Sequence, residues 1–199
     1  MYYIKVIMMN NNLTILKFFV EHKDGKFTIK KVSETLKINY KIAYEEILDL
    51  EKEGLIKVFK QGNSNICAFN YKYDSKLVEI EEARKEKLSK DIKLIHDRIK
   101  EVKSPFYSLV LFGSHANKTD NKNSDIDLCL VADNKSVNKQ VGDMLSITPL
   151  NIHLQEFTSE EFLQMLKSKE SNVGNEIVKN NIILSGMEAF YELVNNVKQ

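Results

Sequence analysis

The stretch Leu109-Val-Leu-Phe-Gly-Ser-His-Ala-Asn-Lys-Thr-Asp-Asn-Lys-Asn-Ser-Asp-Ile-Asp-Leu-Cys-Leu-Val131 decides how the rest of the chain is read. An apolar run ends in Gly113-Ser114, a polar loop follows, and a second apolar run opens with Asp125 and Asp127 two residues apart. Residues i and i+2 of a strand point to the same face, so the two carboxylates leave the sheet side by side, about 7 Å apart at the backbone. Carboxylates at that spacing repel unless a cation sits between them, and hard oxygen ligands suit Mg²⁺. Gly113 lets the backbone come close to a ligand, and a helix starting near Ser114 would offer unpaired N–H groups to a phosphate. One small site could thus hold a metal–nucleotide complex.

Outward from this stretch the C-terminal part alternates. Residues 107–112 and 125–131 read as strands, 135–145 as a helix and 150–157 as a third strand. Thr158-Ser-Glu-Glu161 is a capping box opening a helix to about Lys167. A short helix at 176–179, an apolar run at 182–184 and a final helix at 186–197 complete an α/β or α+β domain.

Upstream, residues 74–103 carry apolar side chains at Leu88, Ile92, Ile95, Ile99 and Val102, extended weakly by Leu77, Ile80 and Ala83. Charged residues fill the other positions, and Pro105 closes the run. The narrow stripe predicts one connecting helix, packed on a neighbour or on its twin in a homodimer, with His96 on the solvated side.

The front of the chain opens with the apolar residues 1–9, a short strand or a lead-in to a helix. A first helix follows from about Leu13, capped from residues 10–12 and stopped before Asp24-Gly25. Thr28 caps a second, with Ile29, Val32 and Leu36 inward. A third runs from Tyr40 to Glu53, with Ile42, Ile47 and Leu50 on one face and Gly54 as its stop. Runs at 55–60 and 66–73, joined by residues 61–65, read as a hairpin. This order over residues 10–73 resembles a winged helix-turn-helix domain. The resemblance implies double-stranded DNA as a partner, touched by Lys30, Lys31, Asn39, Tyr40, Lys41, Tyr44, Lys60 and Asn63. Glu45, Glu46, Asp49, Glu51 and Glu53 on the third helix oppose the phosphate contacts that dominate such binding.

Composition sets outer bounds. With 43% hydrophobic and 29% charged residues in 199, the chain is globular and divides as a front domain at 1–73, a linker helix at 74–104 and a rear domain at 105–199. Residues 1–73 carry 12 basic against 8 acidic side chains and residues 105–199 carry 8 against 12, which suits nucleic acid in front and a metal behind. Cys67 and Cys129 sit in apolar runs without a CxxC partner and read as buried free thiols of a reducing compartment. The absence of a bilayer-length apolar run or a signal-peptide layout places the expected protein in the cytoplasm, with no membrane partner.

Gly113-Ser114 followed by Ser124-Asp125-Ile-Asp127, with apolar residues on both sides, resembles the signature of the DNA polymerase β nucleotidyltransferase superfamily, its minimal members above all. The resemblance covers residues 105–195 and implies a mixed sheet with helices, an α+β fold. It implies Mg²⁺ on Asp125 and Asp127 and a nucleoside triphosphate held by Gly113, Ser114, His115, Lys118 and Ser124. The activity it implies is transfer of a nucleoside monophosphate to an acceptor hydroxyl. Two departures bear on that activity. His115 and Lys118 stand where a basic residue and a glycine are common in the family, and the next strand offers Asn151, His153 and Gln155 where a third carboxylate is expected. Glu156 has the parity of the apolar Leu154 and faces away unless a bulge resets the register. His153 is then the candidate general base. The alternative is a catalytically weak, DNA-binding regulator or antitoxin-like protein, or a scaffold joined through residues 74–103.

Overall fold

The computed structural model describes residues 10–104, 106–168 and 170–198, and the chain falls into two compact units, Met1–Asn70 and Tyr71–Gln199. The opening run 1–9 and the helix-closing Pro105 lie outside the described residues.

In the first unit, side-chain caps set where helices begin. Asn10 accepts from the Leu13 N–H to open α1 (Asn11–Glu21), Thr28 from Lys31 to open α2 (Ile29–Leu36), and Asn39 from Lys41 to open α3 (Tyr40–Lys52). Gly54, at φ 78°, ends α3 in the left-handed turn a glycine adopts without a Cβ clash, and the Leu55 N–H returns to the Leu50 carbonyl at 2.9 Å. The hairpin is present as β2 (Ile56–Gln61) and β3 (Ser64–Phe69). A three-residue strand absent from the sequence reading, β1 (Lys26–Thr28), joins the free edge of β3, giving an antiparallel sheet in the order β1-β3-β2. Ile15, Leu16, Phe19, Val32, Ile47 and Leu50 are buried. Ile42, expected inward on α3, is 39% exposed.

In the second unit, the stretch read as one linker helix is two, α4 (Ser75–Lys85) and α5 (Lys90–Ile99). Ser89 breaks the run because its hydroxyl caps α5, accepting from the Ile92 N–H. The stripe expected to face a neighbour or a twin is spent inside its own unit. Ile92, Ile95, Ile99 and Val102 share one core with Leu109, Leu111, Leu128 and Leu130, so this stripe is no dimer seam. His96 is half-buried rather than solvated, and burial, followed by Lys85 and Lys100, holds its pKa below the usual imidazole range.

The sheet of this unit runs β6-β5-β4-β7. β4 (Tyr107–Phe112) and β5 (Ile126–Ala132) pair antiparallel around the five-residue α6 (Gly113–Asn117) and its loop. α7 (Lys135–Ser146) then crosses over and returns the chain as β6 (Ile152–Phe157), parallel to β5. α8 (Ser159–Lys167) opens on the expected Thr158–Glu161 capping box. α9 (Val173–Lys179) leads into β7 (Ile182–Ser185), and α10 (Met187–Lys198) follows. Alternation sends Ile126, Leu128 and Leu130 into the core under α5 and α7, while α8, α9 and α10 cover the other face. The mixed α+β architecture expected of the rear domain is the one present. Asp127 belongs to the face opposite Leu128, at the end of β5 where that cover stops.

Candidate functional site

Four segments converge at the β4–β5 end of the sheet. Phe112 is paired in register with Asp127, and Gly113 follows at φ 67°. A Cβ on Gly113 would lie 2.2 Å from the Asp127 Oδ2, so a side chain at 113 would enter the space of that carboxylate. Asp125 is exposed and Asp127 is 27% exposed, so both carboxylates open to solvent at the strand end.

β6 supplies the opposite wall. Because Asp127 pairs in register with His153, Asn151 stands across from Asp125. The Asn151 amide donates to the Asp125 Oδ1, and the His153 Nδ1 lies 3.4 Å from the Asp127 Oδ1. Glu156 is in register with Leu130, a core residue, so no bulge brings it round and it lies on the face away from Asp127. The sequence-based expectation of no third acid beside the pair therefore stands in the register itself. Sequence reading missed the pairing of Asn151 with Asp125, which only the parallel β5–β6 register reveals.

The loop residues are held by one another. The Ser124 hydroxyl accepts from the Asn121 N–H at 2.9 Å, while the His115 Nε2 lies 3.4 Å from the Ser124 carbonyl and its Nδ1 3.4 Å from the Asp120 carboxylate. Ser114 sits in the first turn of α6, half-buried. Lys118 ends α6 at φ 58°, so the glycine-type conformation is present with a lysine in it. Two cavities flank His115. One, of about 770 Å³, is lined by Ser124, Asn151 and Asp120, and the other, of about 290 Å³, by Lys118, Arg84 and Lys87.

The donor set suits magnesium in kind. Asp125 and Asp127 are hard oxygen donors on one strand face, and among the described residues no group of three or more His, Cys, Asp or Glu is placed to hold a metal ion. A site with two carboxylates fits an ion that takes its other ligands from phosphate and water, as Mg²⁺ commonly does.

The first-unit candidates lie apart from this chemistry. Lys30, Lys31, Asn39, Tyr40, Lys41, Tyr44, Lys60 and Asn63 are all exposed, Tyr40 by 53% and Tyr44 by 37%. Lys30 is 3.9 Å from Glu34 and Lys41 is 4.0 Å from Glu45, both at i,i+4, and Asn39 spends its side chain capping α3. No helix among the described residues is long and apolar enough to cross a membrane.

No curated protein matches the chain. A crystal structure of a toxin–antitoxin with AMP-PNP is similar over 54% of this chain and 82% of that one, at 18% identity and a TM-score of 0.35. The family described as poly(A) RNA polymerase, mitochondrial-like, central palm domain matches residues 70–184, a span that begins upstream of α4 and runs through β4, β5 and β6 into β7. With more than half of its length in that match, the chain belongs to the family of mitochondrial-like poly(A) RNA polymerase central palm domains, a nucleotidyltransferase fold.

Proposed function

We propose that the second unit binds a magnesium–nucleoside triphosphate at Gly113, Ser114, Ser124, Asp125 and Asp127 and transfers a nucleoside monophosphate to an acceptor hydroxyl. The observation that carries this reading is the seating of Gly113 against Asp127, a glycine-only turn whose missing Cβ leaves the carboxylate free at the strand end. Asp125 and Asp127 would hold the ion, while Ser114 and the adjoining backbone N–H groups would meet phosphate oxygens. When bound, magnesium neutralises phosphate charge and acidifies the attacking hydroxyl. The chain's own part is to fix the carboxylates. Asn151 orients Asp125 by donation, and His153, donating from Nδ1 to Asp127, leaves its Nε2 as the acceptor for the hydroxyl proton. The test is incubation with labelled ATP, GTP, CTP or UTP, Mg²⁺ and cell extract. Label moves with the wild-type protein and not with Asp125→Asn/Asp127→Asn; if no label moves, or the double variant labels equally, the transferase reading fails.

The first unit, in this reading, is a winged helix that binds double-stranded DNA in the cytoplasm, through its exposed Lys30, Lys31, Lys41, Tyr40, Tyr44 and Lys60. One observation favours a second reading. Neutral side chains, Asn151 and His153, occupy the register positions across from both aspartates, which suits a protein that holds a nucleotide and regulates rather than turning it over. That reading expects no label transfer and a DNA affinity that changes when nucleotide is added; DNA binding indifferent to nucleotide counts against it.

A further inference from the structure

The cavity of about 290 Å³ beside α6 lies apart from the carboxylate pair. Its floor includes Ile92 and Ile182, both members of the core under α5 and α7, whereas Asp125 and Asp127 alternate to the other face of β5. Its polar wall comes from two distant segments: Arg84, Lys87 and Ser89 at the α4–α5 junction, and His115, Lys118 and Asp120 around the end of α6. Water takes about 30 Å³ each in the liquid, so the space is ample for a diphosphate.

The charges do not cancel. The Arg84 Nη1 donates to both oxygens of the buried Glu81 at 2.9 and 2.8 Å, and its Nη2 donates to the Asn181 carbonyl at 2.6 Å, so that guanidinium is committed to protein. Asp120 lies 3.4 Å from His115. That leaves Lys87 and Lys118, which form no salt bridge among the described residues, as two ammonium groups lining one cavity. Like charges gathered there repel, and a lysine at φ 58° adopts a backbone conformation that a glycine would take with less strain. Both features are accounted for by an anion between them.

We propose that this cavity is a phosphate-binding site, separate from Asp125 and Asp127, with Lys87 and Lys118 as its charges and the Ser89 hydroxyl as a further donor. The matching chemistry is a phosphate chain, which a nucleoside triphosphate tail and a free polyphosphate both present. Calorimetric titration of the full chain with inorganic pyrophosphate, in low salt with a chelator and no divalent ion, tests it. Binding is expected, weakened by salt and reduced at least about tenfold by Lys87→Ala and by Lys118→Gly. Lys118→Gly is also expected to raise the melting temperature, since glycine relieves the backbone, so its loss of binding would not be a loss of fold. Asp125→Asn/Asp127→Asn keeps its affinity. ATP displacing pyrophosphate more tightly than tripolyphosphate does identifies the nucleotide tail as the source, and the reverse identifies free polyphosphate. Absence of binding, wild-type affinity in both lysine variants, or loss of binding in the aspartate variant would overturn the proposal. The assay excludes metal and turnover, so its outcome is independent of the transferase test.

Discussion

Gly113 is the residue at which geometry constrains the site most tightly. Its φ of 67° and the 2.2 Å separation from a Cβ to the Asp127 Oδ2 leave no room for alanine. Gly113→Ala is expected to lose about 1–3 kcal/mol of stability by chemical denaturation and to lose nucleotide binding together with it. Burial also sets the behaviour of the two thiols. Cys67 and Cys129 are buried and free, and desolvation pushes both up to about 12 from an ordinary 9.0. A native protein at pH 8 should therefore leave both unreacted toward a thiol reagent, with two groups titrating only after denaturation. The sign for stability follows from the raised folded value: the contribution is full below about 9 and is lost as pH rises from there toward about 12. An unfolding midpoint that stays constant across that alkaline window would contradict it.

At the scale of elements, α4 is tied to the palm by a buried cluster. The fully buried Glu81 carboxylate receives the Arg84 guanidinium and the Tyr191 hydroxyl of α10, and burial raises the Tyr191 phenol well above its ordinary value. Arg84→Met would strand a buried carboxylate and is expected to cost about 3–5 kcal/mol in urea denaturation, while Glu81→Leu/Arg84→Met should cost less than the single change. Elements with strong local chemistry were legible in the sequence. The alternation Ile126, Leu128, Leu130 marks β5, Thr158 with Glu161 marks the start of α8, and Thr28 marks the start of α2. What escaped depends on partners far along the chain. β1 has only three residues and exists because β3 pairs with it. The break at Ser89 was hidden by an apolar stripe whose period continues across it, though serine's preference for capping was there to be read. The site followed the same rule. Asp125, Asp127 and Gly113 could be read from spacing, whereas the seating of Gly113 on Asp127 and of Asn151 on Asp125 belongs to tertiary register.

At the scale of the whole molecule, the family match covers the second unit, so the first unit's part rests on its own surface. If it binds duplex DNA, affinity should fall with salt, and Lys41→Ala and Lys60→Ala should each flatten the salt slope by about 1 across sequences. Equal slopes in a filter-binding or fluorescence assay would remove those lysines from the interface. The acids of α3 argue for a short contact made by its first turn, where Tyr40 and Tyr44 lie exposed with ring centroids 6.3 Å apart. The central claim concerns the second unit, and calorimetric titration of the four nucleoside triphosphates in the presence of Mg²⁺ tests it most directly. The account predicts that at least one binds the wild-type protein and that Asp125→Asn/Asp127→Asn weakens it at least about tenfold. No binding by any of the four, or equal binding by the double variant, would contradict it.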